Sequence, residues 1–218
     1  MPNVEEFGFD PEFASQFGLV SVGGALEPAR VLRAYAAGIF PWFNEGDPVC
    51  WWSPDPRAIF ELDNFQVPRR LARTIRSGKF RVTVNEDFAG VIRGCADRDE
   101  GTWITGEMMR CYETLHRQGH VHSVETWIGD ELVGGIYGVA IGGFFGGESM
   151  FCRATDASKV ALVALIEKLK ERGFVLFDSQ ILNDHTRSLG AIEIPREEYL
   201  ERLRKAKRLP VTFVDRKK

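Results

Sequence analysis

The sequence predicts an α+β protein in which a small N-terminal unit precedes a larger domain of helices and strands. Helical and strand-type apolar patterns alternate from about residue 85 onward, with antiparallel strands in the middle and a strand–helix–strand crossover late in the chain. Before residue 57 the text is instead rich in Gly, Pro and aromatics. At 218 residues, 44% hydrophobic and 27% charged, the chain is long enough to bury a full core. The boundary is therefore drawn to give a small domain over residues 1–57 and a main domain over 58–218.

In the first unit a helix is expected over about Pro28–Ala37, with Pro in the first turn, Val31, Leu32 and Tyr35 on one face, and Gly38 as the stop. The stretch "GIFPWFNEGDPVCWWSPDPR" packs three Trp and four Pro into twenty residues. It is expected to be a rigid, aromatic-lined loop system, neither helix nor central strand. Between Asn64 and Asn85 come Arg69, Arg70, Arg73, Arg76, Lys79 and Arg81 without an acid, and Arg202–Lys218 holds eight Lys or Arg against Asp215. On a chain of net charge −3, such patches suggest a polyanion partner, the alternative being a solvated helix face.

Asn85 is expected to cap a helix with Phe88, Val91, Ile92 and Cys95 at helical spacing. Thr105 opens the next, with Met108, Cys111, Tyr112 and Leu115 inward and Gly119 at its end. "HVHSVETWI" and "LVGGIYGVAIGGFFGGESMF" read as strands that first turn at Gly129-Asp130. Asp156 or Ser158 caps a helix burying Leu162, Leu165, Ile166 and Leu169, which Gly173 closes, and "FVLFDSQ" is the next strand.

Side chains alternate along a strand, so Asp178 and Gln180 share a face with Leu176, opposite Phe177 and Ser179. An acid and an amide thus project together at the carboxyl end of a crossover strand, where such folds hold ligands; turn capping is the alternative. In "GESMF" the same alternation groups Phe144, Gly146, Glu148 and Met150. A carboxylate in that apolar setting needs a cation, from a substrate or from an internal Arg such as Arg153.

Several classes are set aside. No apolar run approaches the roughly 18–20 residues that cross a bilayer, and "MPNVEEFGFD" is acidic where a signal peptide is basic, so a cytoplasmic protein with no membrane partner is expected. Cys50, Cys95, Cys111 and Cys152 are scattered, with no Cys-x-x-Cys, and read as reduced thiols. His116 and His120 are separated by the helix stop at Gly119, so with His122 they complete no metal site.

The late strand–helix–strand unit with "NDHTRSLGAIEI" resembles the C-terminal half of the GNAT-type acetyltransferases, which implies a GNAT-like acyltransferase domain. Where those enzymes cradle a pyrophosphate in a glycine loop, this sequence has "CRATDAS". No cofactor is therefore expected, and a CoA-dependent N-acyltransferase is the alternative. "GIFPWF", "WWSPDPR", "GTWIT", "LHRQGHVHSVE", "LVGGIYGV", "GESMF", "DSQ.LNDHT.SLGA" and "IPR" resemble, in order over residues 18–200, the leucyl/phenylalanyl-tRNA–protein transferase family. Two departures are "GGAL" at Gly23–Leu26, where the family has "GGDL", and an "EGTW" approach one residue shorter than in some relatives.

That resemblance implies an aminoacyltransferase. It would move Leu or Phe, less readily Met, from charged tRNA onto the N-terminal Arg or Lys of an acceptor protein and so mark it for degradation (the N-end rule). A monomer is expected, separately from that resemblance. The implied catalytic residues are Asp178, Gln180 and Glu148. Gln180 would orient the amine or carbonyl, Asp178 would polarise Gln180 or anchor the cationic acceptor, and Glu148 would take the acceptor's side chain. The implied slot for the donor side chain comprises Trp42, Trp103, Tyr112, Ile136, Phe145, Met150 and Phe177. Arg69, Arg70, Arg73, Arg76, Lys79 and Arg81 become the tRNA track, through phosphates. Trp51 and Trp52 would stack on the terminal adenosine or pin the two domains together. A non-catalytic RNA-binding module is the competing class.

Overall fold

A computed structural model describes residues 10–97 and 101–215. The acidic start, the Glu100 end of the "EGTW" approach and the last three basic residues lie outside the described residues. A short 3-10 turn at Pro11–Phe13 leads into β1 (Leu19–Val22), α1 (Pro28–Ala36), β2 (Phe40–Pro41), β3 (Cys50–Trp52) and β4 (Arg57–Phe60). Next come α2 (Arg69–Arg76), β5 (Arg81–Val84), α3 (Phe88–Ala96), α4 (Gly106–Arg117), β6 (Val121–Ile128), β7 (Glu131–Ile141) and β8 (Phe144–Cys152). The chain continues through α5 (Ala157–Glu171), β9 (Leu176–Gln180), α6 (Asp184–Ser188), β10 (Ile192–Ile194) and α7 (Arg196–Ala206).

The expected α+β architecture is present. A seven-stranded sheet runs β10-β4-β9-β8-β7-β6-β5, and a three-stranded one runs β1-β3-β2. In the large sheet only β8 and β9 are parallel, joined by the crossover through α5. Helices cover both of its faces. Tyr35 of α1, Val91 of α3, Tyr112 of α4 and Leu203 of α7 share one apolar cluster with Ile59, Phe144 and Leu176. Leu162, Leu165, Ile166 and Leu169 of α5 pack with Phe60, Phe145 and Phe177 in the other. Successive strand residues thus alternate between two buried layers, which is why these strands read as continuous apolar runs.

Local chemistry explains the helix ends. Thr105 caps α4 by accepting from the Met108 N–H at 3.2 Å, and Gly119 leaves the helix at φ +79°. The cap of α3 differs from expectation: Asp87 accepts from the Gly90 N–H at 2.8 Å, while Asn85 sits at φ +58° with its amide 3.0 Å from His122 Nδ1. For α5 the N-cap is Asp156, at φ +71° and without a side-chain cap bond; Ser158 is already inside the first turn. Cys50–Trp52 also departs from the expected loop, being the middle strand of the small sheet. Its flanking prolines, Pro48 and Pro54, fall outside the strand, and Pro41 occupies the edge strand β2.

Candidate active site

Strands β8 and β9 pair over only three positions, Phe144↔Leu176, Phe145↔Phe177 and Gly146↔Asp178. Beyond them the two strands part, and a cavity of about 710 Å³ opens between Gly147–Cys152 and Ser179–Thr186. Each strand is bulged where they separate. In β8, the pairs Tyr137↔Ser149 and Gly138↔Gly147 leave Glu148 unmatched. In β9, the pairs Ala58↔Gln180 and Ile59↔Asp178 leave Ser179 unmatched, and Gln180 adopts φ +56°. A bulge breaks the side-chain alternation and re-aims the residues after it. The shared faces expected from simple alternation are therefore corrected. Met150 passes to the α5 side of the sheet, while Glu148 faces the α1 and α4 tyrosines.

Glu148 is held by neutral groups. Its Oε1 accepts a short bond from the Tyr35 hydroxyl and one from Gln180 Nε2 at 3.2 Å, and its Oε2 accepts from the Tyr112 hydroxyl at 2.9 Å. Among the described residues no Lys or Arg is ion-paired with it; Arg153, the internal alternative, lies 3.2 Å from Asp97 instead. Burial pushes the Glu148 carboxyl up to about 7, against the pull of the two tyrosine bonds. Burial, followed by the Glu148 charge, raises both tyrosine hydroxyls well above their ordinary range, so they remain donors.

Asp178 is placed otherwise. It is fully buried, and Arg57 engages it in a fork, Nε to Oδ1 at 2.8 Å and Nη2 to Oδ2 at 2.7 Å. Tyr199 donates to Oδ2 at 3.0 Å, and the Gln180 N–H donates to Oδ1 at 2.9 Å. The remaining guanidinium nitrogen of Arg57 donates to the Gly38 carbonyl at 2.9 Å. Burial alone would lower the Arg57 pKa, but the Asp178 carboxylate outweighs it and holds the guanidinium above its ordinary value. The expectation that Asp178 meets an acceptor cation in the cleft is corrected, because the protein's own arginine fills that place. What Asp178 holds is the backbone of Gln180 at its left-handed bend, so that the amide side chain points across the cleft to Glu148.

Four of the seven expected slot residues, Trp103, Ile136, Met150 and Phe177, line the cavity, joined by Phe60 and Phe151, which sequence reasoning missed. Three do not. Trp42 is 44% exposed and lies against Trp52, with ring centroids 6.0 Å apart. Tyr112 stands behind Glu148, and Phe145 lies edge-on behind Phe177 at 5.7 Å. The Trp51 N–H donates to the Gly23 carbonyl and that of Trp52 to the Trp42 carbonyl, both within the N-terminal region. Arg57 and Tyr199 are further site-building residues without a sequence signal; Tyr35 is expected on the apolar face of α1, but nothing local points its hydroxyl at Glu148.

The six expected cations are all exposed. Arg69, Arg70, Arg73 and Arg76 lie on α2, which docks on α5 through Leu71 against Val160 and Val163. None of the four is ion-paired among the described residues. Arg81 differs: it is bound to Glu86 at 2.9 Å and stands over the Trp127 ring.

Known proteins resemble the chain over most of its length. A family profile for leucyl/phenylalanyl-tRNA protein transferase matches residues 59–204, and one for the N-terminal domain of that transferase matches residues 24–55. A Klebsiella pneumoniae (strain 342) protein named leucyl/phenylalanyl-tRNA–protein transferase is 52% identical over 199 residues, 90% of this chain and 85% of its own. A protein of the same name from Anaeromyxobacter sp. (strain K) is 53% identical over 205 residues, 92% and 88% of the two chains. Another from Escherichia coli O7:K1 is 53% identical over 199 residues, 90% and 85%.

Proposed function

The chain belongs to the leucyl/phenylalanyl-tRNA–protein transferase family, and from that premise we propose that it moves Leu or Phe, less readily Met, from charged tRNA onto an N-terminal Arg or Lys. The observation that carries the reading is Glu148: a carboxylate at the edge of an apolar cleft, held by phenols and an amide, with no cation of its own among the described residues. An acceptor's Arg or Lys side chain supplies the missing charge. The donor's side chain lies among Ile136, Met150 and Phe177, with its ester at the mouth of the cleft.

The chemistry needs alignment more than force. An N-terminal amine has a pKa near 8, so a usable fraction is neutral. Its nitrogen attacks the ester carbonyl carbon, the new C–N bond forms, the C–O bond to the ribose breaks, and the amine proton ends on the departing ribose oxygen. Gln180 turns its Nε2 to Glu148, which leaves its carbonyl oxygen to accept from the incoming amine and orient it. Asp178 and Arg57 act at one remove, by fixing the Gln180 backbone.

The acceptor so marked is a substrate for degradation, and the working form is a cytoplasmic monomer. Among the described residues no helix is long and apolar enough to cross a membrane. The test mixes the protein with radiolabelled leucyl-tRNA and peptides beginning with Arg, Lys or Ala. Label is expected on the first two and not the third. Acyl transfer from acetyl-CoA to the Arg peptide, with none from the tRNA, would reverse the reading.

A further inference from the structure

A second cavity, of about 730 Å³, lies beside the cleft, and the start of α5, the short α6 and the end of β4 stand between the two. Ser158 and Thr186 face the first cavity; their chain neighbours Lys159 and Arg187 face the second. Its floor is apolar, formed by Phe65, Leu71, Leu162 and Leu189, and its size falls in the roughly 300–1,000 Å³ range of small-ligand sites.

The rim is basic. Arg70 enters it from α2, so the cavity is continuous with the arginine-rich helix; Lys159 and Arg187 stand on the side toward the cleft. Two acids also line it, and both are engaged. Glu61 is held by Arg202 at 2.6 Å, and Asp156 lies 3.6 Å from Lys159 and accepts from Thr74 of α2 at 3.3 Å. Arg70 and Arg187 carry no ion pair among the described residues. An aromatic and apolar floor under a cationic rim suits a single-stranded nucleotide, whose base needs a hydrophobic bed and whose phosphate needs arginine or lysine.

We propose that this cavity seats an unpaired nucleotide of the tRNA 3′ end, one or two positions before the terminal adenosine. Its base lies on Phe65 and Leu189, and Lys159 and Arg187 hold its phosphate. The inference rests on the tRNA reading above. An RNA end that leaves the α2 arginines and delivers its esterified residue to the first cavity passes the second on the way.

The experiment uses leucyl-tRNA carrying 4-thiouridine at either of those two positions, irradiated on the full-length protein, with crosslinked peptides identified by mass spectrometry. Crosslinks within residues 64–66, 155–163 or 187–192 are expected; crosslinks confined to other segments, or none, overturn the proposal. Arg187→Glu and Lys159→Glu are each expected to raise KM for leucyl-tRNA about tenfold, with kcat within twofold, as loss of one charged phosphate contact predicts. An unchanged KM in both, or a fall in kcat with KM unmoved, likewise overturns it. Failure of the unsubstituted protein to transfer leucine at all would instead remove the tRNA reading on which the proposal stands.

Discussion

Glu148 and Asp178 project on the same side of neighbouring strands, at the place where those strands part, and their surroundings are opposite. Asp178 is sealed off and clasped by a guanidinium; Glu148 borders open space and is touched by phenols and an amide. Two carboxylates so close in the fold therefore do different work. One has its counter-charge built in and serves as scaffold. The other has no ion pair among the described residues, which under the proposed function leaves it for a cationic guest.

The largest expected effect separates the two directly. Arg57→Ala leaves the Asp178 charge buried and unpaired, and should lower stability by about 3–5 kcal/mol, read as a fall in the urea midpoint. A loss under about 1 kcal/mol would erase the distinction. Glu148→Gln should leave the urea midpoint at pH 8 unchanged or higher, yet raise KM for an Arg-starting peptide by about 10–100-fold, the worth of one charge-assisted bond. An equal loss with a peptide beginning with Ala would show that Glu148 is not reading charge.

The pH dependence sharpens the contrast. Glu148 titrates near 7, above its ordinary 4.5. The folded chain therefore binds a proton that the unfolded chain has lost between those values, so this contribution to stability is present at the acid end and declines as pH rises toward 7. Acceptor binding runs the other way: KM for the Arg peptide should fall as pH rises through about 7, and the Glu148→Gln variant should lose that inflection, keeping only the dependence set by the peptide amine's own pKa near 8. Tyr112→Phe gives the smallest change. Removing a donor that pulls the carboxyl down should move that inflection up by about one unit. A shift downward would mean that Tyr112 does not favour the ionised form.

Much of the scaffold is legible in the chain because it depends on neighbours in sequence. Thr105 and Gly119 bracket α4 by cap and stop, and the alternating layers of Phe144/Phe145 and Leu176/Phe177 follow from simple periodicity. The site is legible only in its residue types. Glu148 and Ser179 are bulge residues only by virtue of the strands opposite, and a bulge reverses every parity after it, as Met150 shows. Arg57 closes an otherwise proline-broken segment, and its partner lies 121 positions away, a distance no local pattern spans.

That arginine has a mechanical consequence. One guanidinium fastens the turn after α1, through Gly38, to β9 through Asp178 and to α7 through the Tyr199 ring beneath it. The small sheet's Trp51 also shares a packed cluster with Leu176 and Tyr199. Peeling the last helix away would strip Asp178 of a donor and loosen the N-terminal sheet together with it. Melting should therefore be all-or-none, a single calorimetric endotherm whose van't Hoff and measured enthalpies agree.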